Sequence, residues 1–167
     1  LIDVAGAIDM HCHPFPDLFP RLADDIAIAI AARDAGLKAL MLKCHHESTG
    51  SRAYLIQRVV PGIRVFGGVV LNSYVGGINP AAVEWMHRVY GSRGKVVWLP
   101  TFESDKHVKT FSKPDAKGLV VAPGGKVTPR ENLVLATGHV HPEEIIAVVK
   151  RGRELGVKNI LITHGLT

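Results

Sequence analysis

Short apolar runs that close in polar residues recur six times along this chain, with segments of helical period between most of them. That rhythm limits the fold more than any single motif. The runs span residues 7–14, 38–46, 64–72, 95–101, 133–139 and 158–164. Most are rich in Val, Ile and Leu, as strands buried on both faces are. Between them, 17–36 places Leu18, Leu22, Ile26, Ile30 and Ala31 at helical spacing before a closing Gly36. Further helices are expected over 51–60, ended by Pro61-Gly62, over 81–90, led in by Asn79 and Pro80, and over 142–155, closed by Gly156. Strand, helix and strand in repetition predict an α/β fold of parallel strands with helical crossovers.

Every strand but the third ends in chemistry-bearing residues. In a (β/α) barrel the carboxyl ends of the strands surround one pocket, so a TIM-barrel-like fold is expected over an open sheet. Six strands are visible where a full barrel of about 250 residues has eight. The reading is therefore a single hydrolase-like domain over 1–167, incomplete and truncated at the C-terminus, which a second copy of the chain could help to close. The stretch 110–132 breaks the rhythm: 118–127 reads as a small hairpin, and a crossover helix is missing near 127–132. The Gly-rich loop 75–80 fits no phosphate-binding pattern and reads as a plain turn.

A period of two puts Asp9, His11 and His13 on one face of the first strand, so two imidazoles on one element are placed for one divalent ion. The barrel would add Lys43 and His45 from the second strand, Glu103 from the fourth, His139 from the fifth and His164 from the sixth. Five imidazoles, a carboxylate and a lysine favour a metal site over a Ser-His-Asp arrangement. A metal there would lower the pKa of bound water and polarise a carbonyl or phosphoryl oxygen. Lys43 has inward parity and could hold a substrate carboxylate or phosphate, while His45 could act as ligand or proton donor. His107 is expected to contact substrate or to lie in a solvated turn. His46 has the opposite parity and is assigned to loop hydrogen bonding, His141 to a helix start, and His87 to a helix surface.

Charge and cysteine usage narrow the partners. The net charge of +5 and the pI near 9.4 would suit an anionic ligand, but the basic residues are scattered without an aromatic-basic patch, so no nucleic-acid partner is expected. Cys12 and Cys44 lack framework spacing and by parity face away from their neighbouring histidines, which points to inert packing and a reducing compartment. No run approaches the ~20 apolar residues of a membrane span and no signal layout is visible, so a cytoplasmic protein acting on a small molecule is expected.

Asp9-Met10-His11-Cys12-His13-Pro14, Leu42-Lys43-Cys44-His45-His46, Val97-Trp98-Leu99-Pro100-Thr101, Ala136-Thr137-Gly138-His139 and Leu161-Ile162-Thr163-His164 together resemble the amidohydrolase superfamily. The likeness is closer to an uncharacterised amidohydrolase-like branch of it. The resemblance implies a distorted barrel with an HxH pair on the first strand, histidines on the fifth and sixth, a bridging group on the fourth and a catalytic aspartate on the eighth. By resemblance, His11, His13, His139 and His164 become metal ligands and Glu103 a candidate bridging group. The expected cofactor is one or two divalent ions, zinc first, with manganese, iron or nickel as alternatives. The implied activity is hydrolysis of a small amide, cyclic amide, ester or phosphoester. The eighth-strand aspartate has no counterpart in these residues, which leaves two other readings open: a metal-dependent decarboxylase or lyase, and a non-catalytic metal- or ligand-binding protein.

Overall fold

The computed structural model describes residues 3–112, 115–121 and 133–165. Most of the expected hairpin, and the missing helix near 127–132, lie outside the described residues. Six strands and five α-helices are seen among those described: β1 (Ile8–Cys12), α1 (Asp25–Asp34), β2 (Ala39–Leu42), α2 (Gly50–Val59), β3 (Arg64–Val70), α3 (Pro80–Arg88), β4 (Gly94–Trp98), α4 (Asp105–Phe111), β5 (Val134–Ala136), α5 (Pro142–Glu154) and β6 (Asn159–Leu161). The fold is α/β, with parallel strands joined by helices, as the rhythm of the sequence predicts. Among the described residues no helix is long and apolar enough to cross a membrane.

The chain divides into two compact units, Leu1–Val69 with Ala81–Lys95, and Val70–Pro80 with Val96–Thr167. In the first unit β2 lies between β1 and β3, parallel to both. All four residues of β2 are buried, as its unbroken apolar run requires. Ala29 of α1, Leu40 and Leu42 of β2, Ala53 and Ile56 of α2, and Val65 of β3 form the core. Gly67 of β3 lets α2 approach closely, since a Cβ there would collide with the carbonyl of Thr49. In the second unit β5 lies between β4 and β6, again parallel, over a core that includes Trp98, Leu99, Leu135, Ala136 and Val140.

Three boundaries differ from expectation. Helix α1 begins at Asp25 and not at 17, because Asp24 caps it by accepting from the Ala27 N–H at 2.7 Å, and Pro20 cannot donate within a helix. Residues 17–23 instead form a loop, secured by Phe15 N–H to Ala23 O (2.9 Å) and Asp25 N–H to Phe15 O (3.0 Å). A short helix, α4, follows β4 where the sequence reading saw only a polar strand end. Ser104 caps it by accepting from the His107 N–H. Strands also stop earlier than their apolar runs suggest. β5 ends at Ala136 and β6 at Leu161, and beyond them Thr137 and Thr163 turn to each other.

Candidate functional site

Every histidine expected at a strand end lies on a strand's last turn or within the next few residues, and the structure gathers them into one group per unit. In the first unit β1 carries one extra residue relative to β2 between Asp9 and Cys12, a bulge-like shift of register at His11. The side chain of Asp9 accepts from the His11 N–H at 2.8 Å and fixes this bend. His11 Nε2 and His13 Nε2 then lie 3.2 Å apart, so the face predicted from period two survives the irregularity. Lys43, with no exposed surface, brings its Nζ to 3.1 Å from His11 Nε2. His45 stacks on His13, ring centroids 4.6 Å apart and planes 20° from parallel. His11, His13, Lys43 and His45 thus form one cluster, as expected.

Its electrostatics suit neutral donors. Burial, reinforced by Lys43, Arg21 and His11 and opposed by Asp17, pushes His13 down to about 3, so its imidazole is neutral at physiological pH. Burial, with Arg21 nearby, likewise lowers Lys43 to about 7. The loop carrying His13 is held from outside the cluster. Arg52 of α2 grips Asp25 with two bonds of 2.8 Å, binds Glu47, and donates to the carbonyls of Pro16 (3.0 Å) and Pro14 (3.4 Å). A planar five-donor fork can do this where a lysine could not.

The loop 17–23 supplies two residues the sequence reading did not single out. Arg21 donates to Asp17 Oδ2 and lies 3.5 Å from His13 Nδ1, joining the loop to the histidine cluster. Asp17 faces His46, whose Nδ1 is 3.4 Å from Oδ1 and 3.9 Å from the Cys44 sulfur. Cys44 is buried as expected, yet it packs against a histidine of its own parity. A helix assumed to start at 17 concealed this loop; the proline at 20 and the Asp24-Asp25 pair were the available signals.

In the second unit His139 lies 4.8 Å from His164 and 5.4 Å from His107, measured between ring centroids. Burial lowers the pKa of His107. The backbone here is built for the turn. Gly138 has φ +64°, and a Cβ on it would collide with the carbonyls of Leu99 and Pro100. His164 itself has φ 55°, a conformation non-glycine residues seldom adopt. Thr163 donates its hydroxyl to Gly138 O (2.8 Å) and its N–H to the Thr137 hydroxyl (3.1 Å), which locks the two strand ends that carry these histidines. Asn72 and Thr101 are paired the same way, through Asn72 Nδ2 to Thr101 Oγ1 and Thr101 N–H to Asn72 Oδ1, each 3.0 Å.

Glu103 is engaged by Ser73. Its carboxylate accepts from both the hydroxyl (2.6 Å) and the N–H of Ser73. Of the remaining histidines, His141 starts α5, its N–H donated to Glu144 (3.0 Å), and lies 3.4 Å from Asp105; His87, expected at the surface, is half-buried.

Two ligand nitrogens on a tetrahedral zinc ion, at 2.0–2.1 Å from the metal, stand about 3.3 Å apart. The His11–His13 separation of 3.2 Å fits that edge. The same separation is within hydrogen-bond reach, and Lys43 Nζ lies 3.1 Å from the same His11 nitrogen; two imidazoles placed so can hold a divalent ion once their lone pairs are directed at it.

Residues 6–167 match the model of a family of unknown function, DUF6282, and the chain belongs to that family. No curated protein and no solved structure matches it.

Proposed function

For this member of the DUF6282 family we propose a metal-dependent hydrolase of amidohydrolase type, on a TIM-barrel-like (β/α) fold, acting on a small amide, cyclic amide, ester or phosphoester. The observation that carries the reading is the 3.2 Å convergence of His11 Nε2 and His13 Nε2 at the end of a strand. His11 and His13 are the proposed ligands in the first unit, and His139 and His164 in the second. A divalent ion of the zinc class supplies Lewis-acid polarisation of the scissile bond and a water made acidic enough to ionise near neutral pH. The chain's own residues do the rest. Lys43, buried beside the ligand pair, orients an anionic substrate oxygen, and His45, stacked on His13, delivers a proton to the leaving group. His107, against His139, contacts the substrate. Glu103 is given no direct part, because Ser73 occupies its carboxylate.

The test is turnover of a panel of simple amides, lactams, esters and phosphomonoesters in ¹⁸O-labelled water, before and after chelation and re-addition of zinc. The reading predicts turnover of at least one class that chelation abolishes and zinc restores, with the label entering the product. Chelator-insensitive turnover would contradict it. Product formed by carbon–carbon cleavage without the label would replace it with the lyase reading.

A further inference from the structure

Beside the histidine pair, the first unit holds a second group of donors with different chemistry. Asp17, Cys44 and His46 place one carboxylate oxygen, one sulfur and one ring nitrogen within 4.8 Å of one another. We propose that these three residues form a separate site for a divalent transition metal of the zinc class, distinct from the His11 and His13 site and not dependent on it.

The separations support an ion over ordinary packing. His46 Nδ1 to Asp17 Oδ1 is 3.4 Å, longer than a good hydrogen bond, and His46 Nδ1 to Cys44 Sγ is 3.9 Å. Around a tetrahedral zinc the corresponding edges are about 3.4 Å for nitrogen to oxygen and about 3.6 Å for nitrogen to sulfur. Those two separations are within a few tenths of an ångström of the ligand polyhedron, and all three donor atoms lie within 4.8 Å of one another. Both Asp17 and Cys44 converge on the same ring nitrogen. A divalent cation among the three would be met by all of them, the nitrogen through its lone pair.

The surroundings complete the case. The side chain of Asp17 is fully shielded and that of His46 is 11% exposed. Arg21 takes Asp17 Oδ2 with two N–H groups, at 2.7 and 2.8 Å, while Oδ1, which also accepts from the Phe19 N–H at 3.3 Å, faces His46. This is how an outer partner orients a ligating carboxylate. A guanidinium so close would repel a bare cation. A thiolate and a carboxylate together neutralise a divalent ion, however, and Arg21 then faces a neutral centre. Binding displaces the thiol proton to solvent. The consequence is structural: Asp17 lies on the loop after β1, and Cys44 and His46 follow β2, so the ion would tie that loop to the strand end and fix Arg21 against His13.

Titration of the metal-stripped full chain with cobalt(II) tests this. A saturable thiolate-to-cobalt charge-transfer band is expected, retained in Cys12→Ser and in His11→Ala and lost in both Cys44→Ser and His46→Ala. Retention in His11→Ala separates this site from the fate of the histidine-pair proposal. In the unmodified chain, cobalt should slow alkylation of Cys44 at least tenfold, read peptide by peptide, so the outcome does not rest on the variants folding. Absence of the band at excess cobalt, its survival in Cys44→Ser, or unchanged Cys44 alkylation would overturn the proposal.

Discussion

Single buried side chains decide how the strand ends are held in the first unit. The hydroxyl of Thr49, fully shielded, donates to Leu42 O at 2.8 Å and accepts from the Gly68 N–H at 2.9 Å, so it fastens the end of β2 to β3 just before Lys43. Valine keeps the shape of threonine but leaves both backbone groups without this partner, and an unsatisfied buried group costs about 1–3 kcal/mol. Thr49→Val should therefore lower unfolding stability in urea by about that amount; a loss below about 0.5 kcal/mol would contradict the role. Part of the residue-level picture was legible in the sequence. Alternation alone put His11 and His13 on one face, and the inward parity of Lys43 matches its position 3.1 Å from His11. Asp17 and Arg21 were not legible as a pair at the cluster. Their positions depend on where α1 starts, and that is fixed by a side-chain cap and a proline within a pattern that otherwise reads as helix.

At the scale of elements, the apolar runs located all six strands because a parallel strand buried on both faces leaves an unbroken apolar signature. Their ends were overestimated, since Asn72, Thr101 and Thr163 turn to side-chain bonds that no local pattern announces. Helix α4 was missed for a related reason: seven polar-rich residues carry little periodicity, and the helix relies on its ends. Asp105, at its first turn, is bonded by Lys109 above all, then by the Gly118 N–H and His141, and its carboxyl is held below the ordinary 3.8 against an opposing effect of burial. A group whose folded pKa is depressed stabilises the fold fully above its unfolded pKa and loses that contribution as pH falls through the folded value. The contribution of Asp105 is thus complete above about pH 4 and fades below it. Asp105→Asn should lower stability at pH 7 and flatten the acid limb of the stability profile below pH 4. An acid limb identical to that of the unsubstituted protein would contradict this.

For the whole molecule, each unit carries parallel strands and its own histidine group at the strand ends, and the account stands on whether those groups hold metal. The repeated pattern of strand, helix and polar strand end made the α/β class readable from the sequence. The second donor set was hidden because its three residues come from a loop and a strand end, and not from one periodic element. The most direct measurement is metal content per chain by plasma mass spectrometry, on protein purified without added metal, beside His11→Ala and Cys44→Ser. The account predicts about two equivalents or more of zinc or a similar divalent ion, reduced by about one equivalent in His11→Ala and separately by about one in Cys44→Ser. No bound metal in the unsubstituted chain, none taken up on titration, and no difference in His11→Ala would contradict the central claim and assign the paired histidines to structure alone.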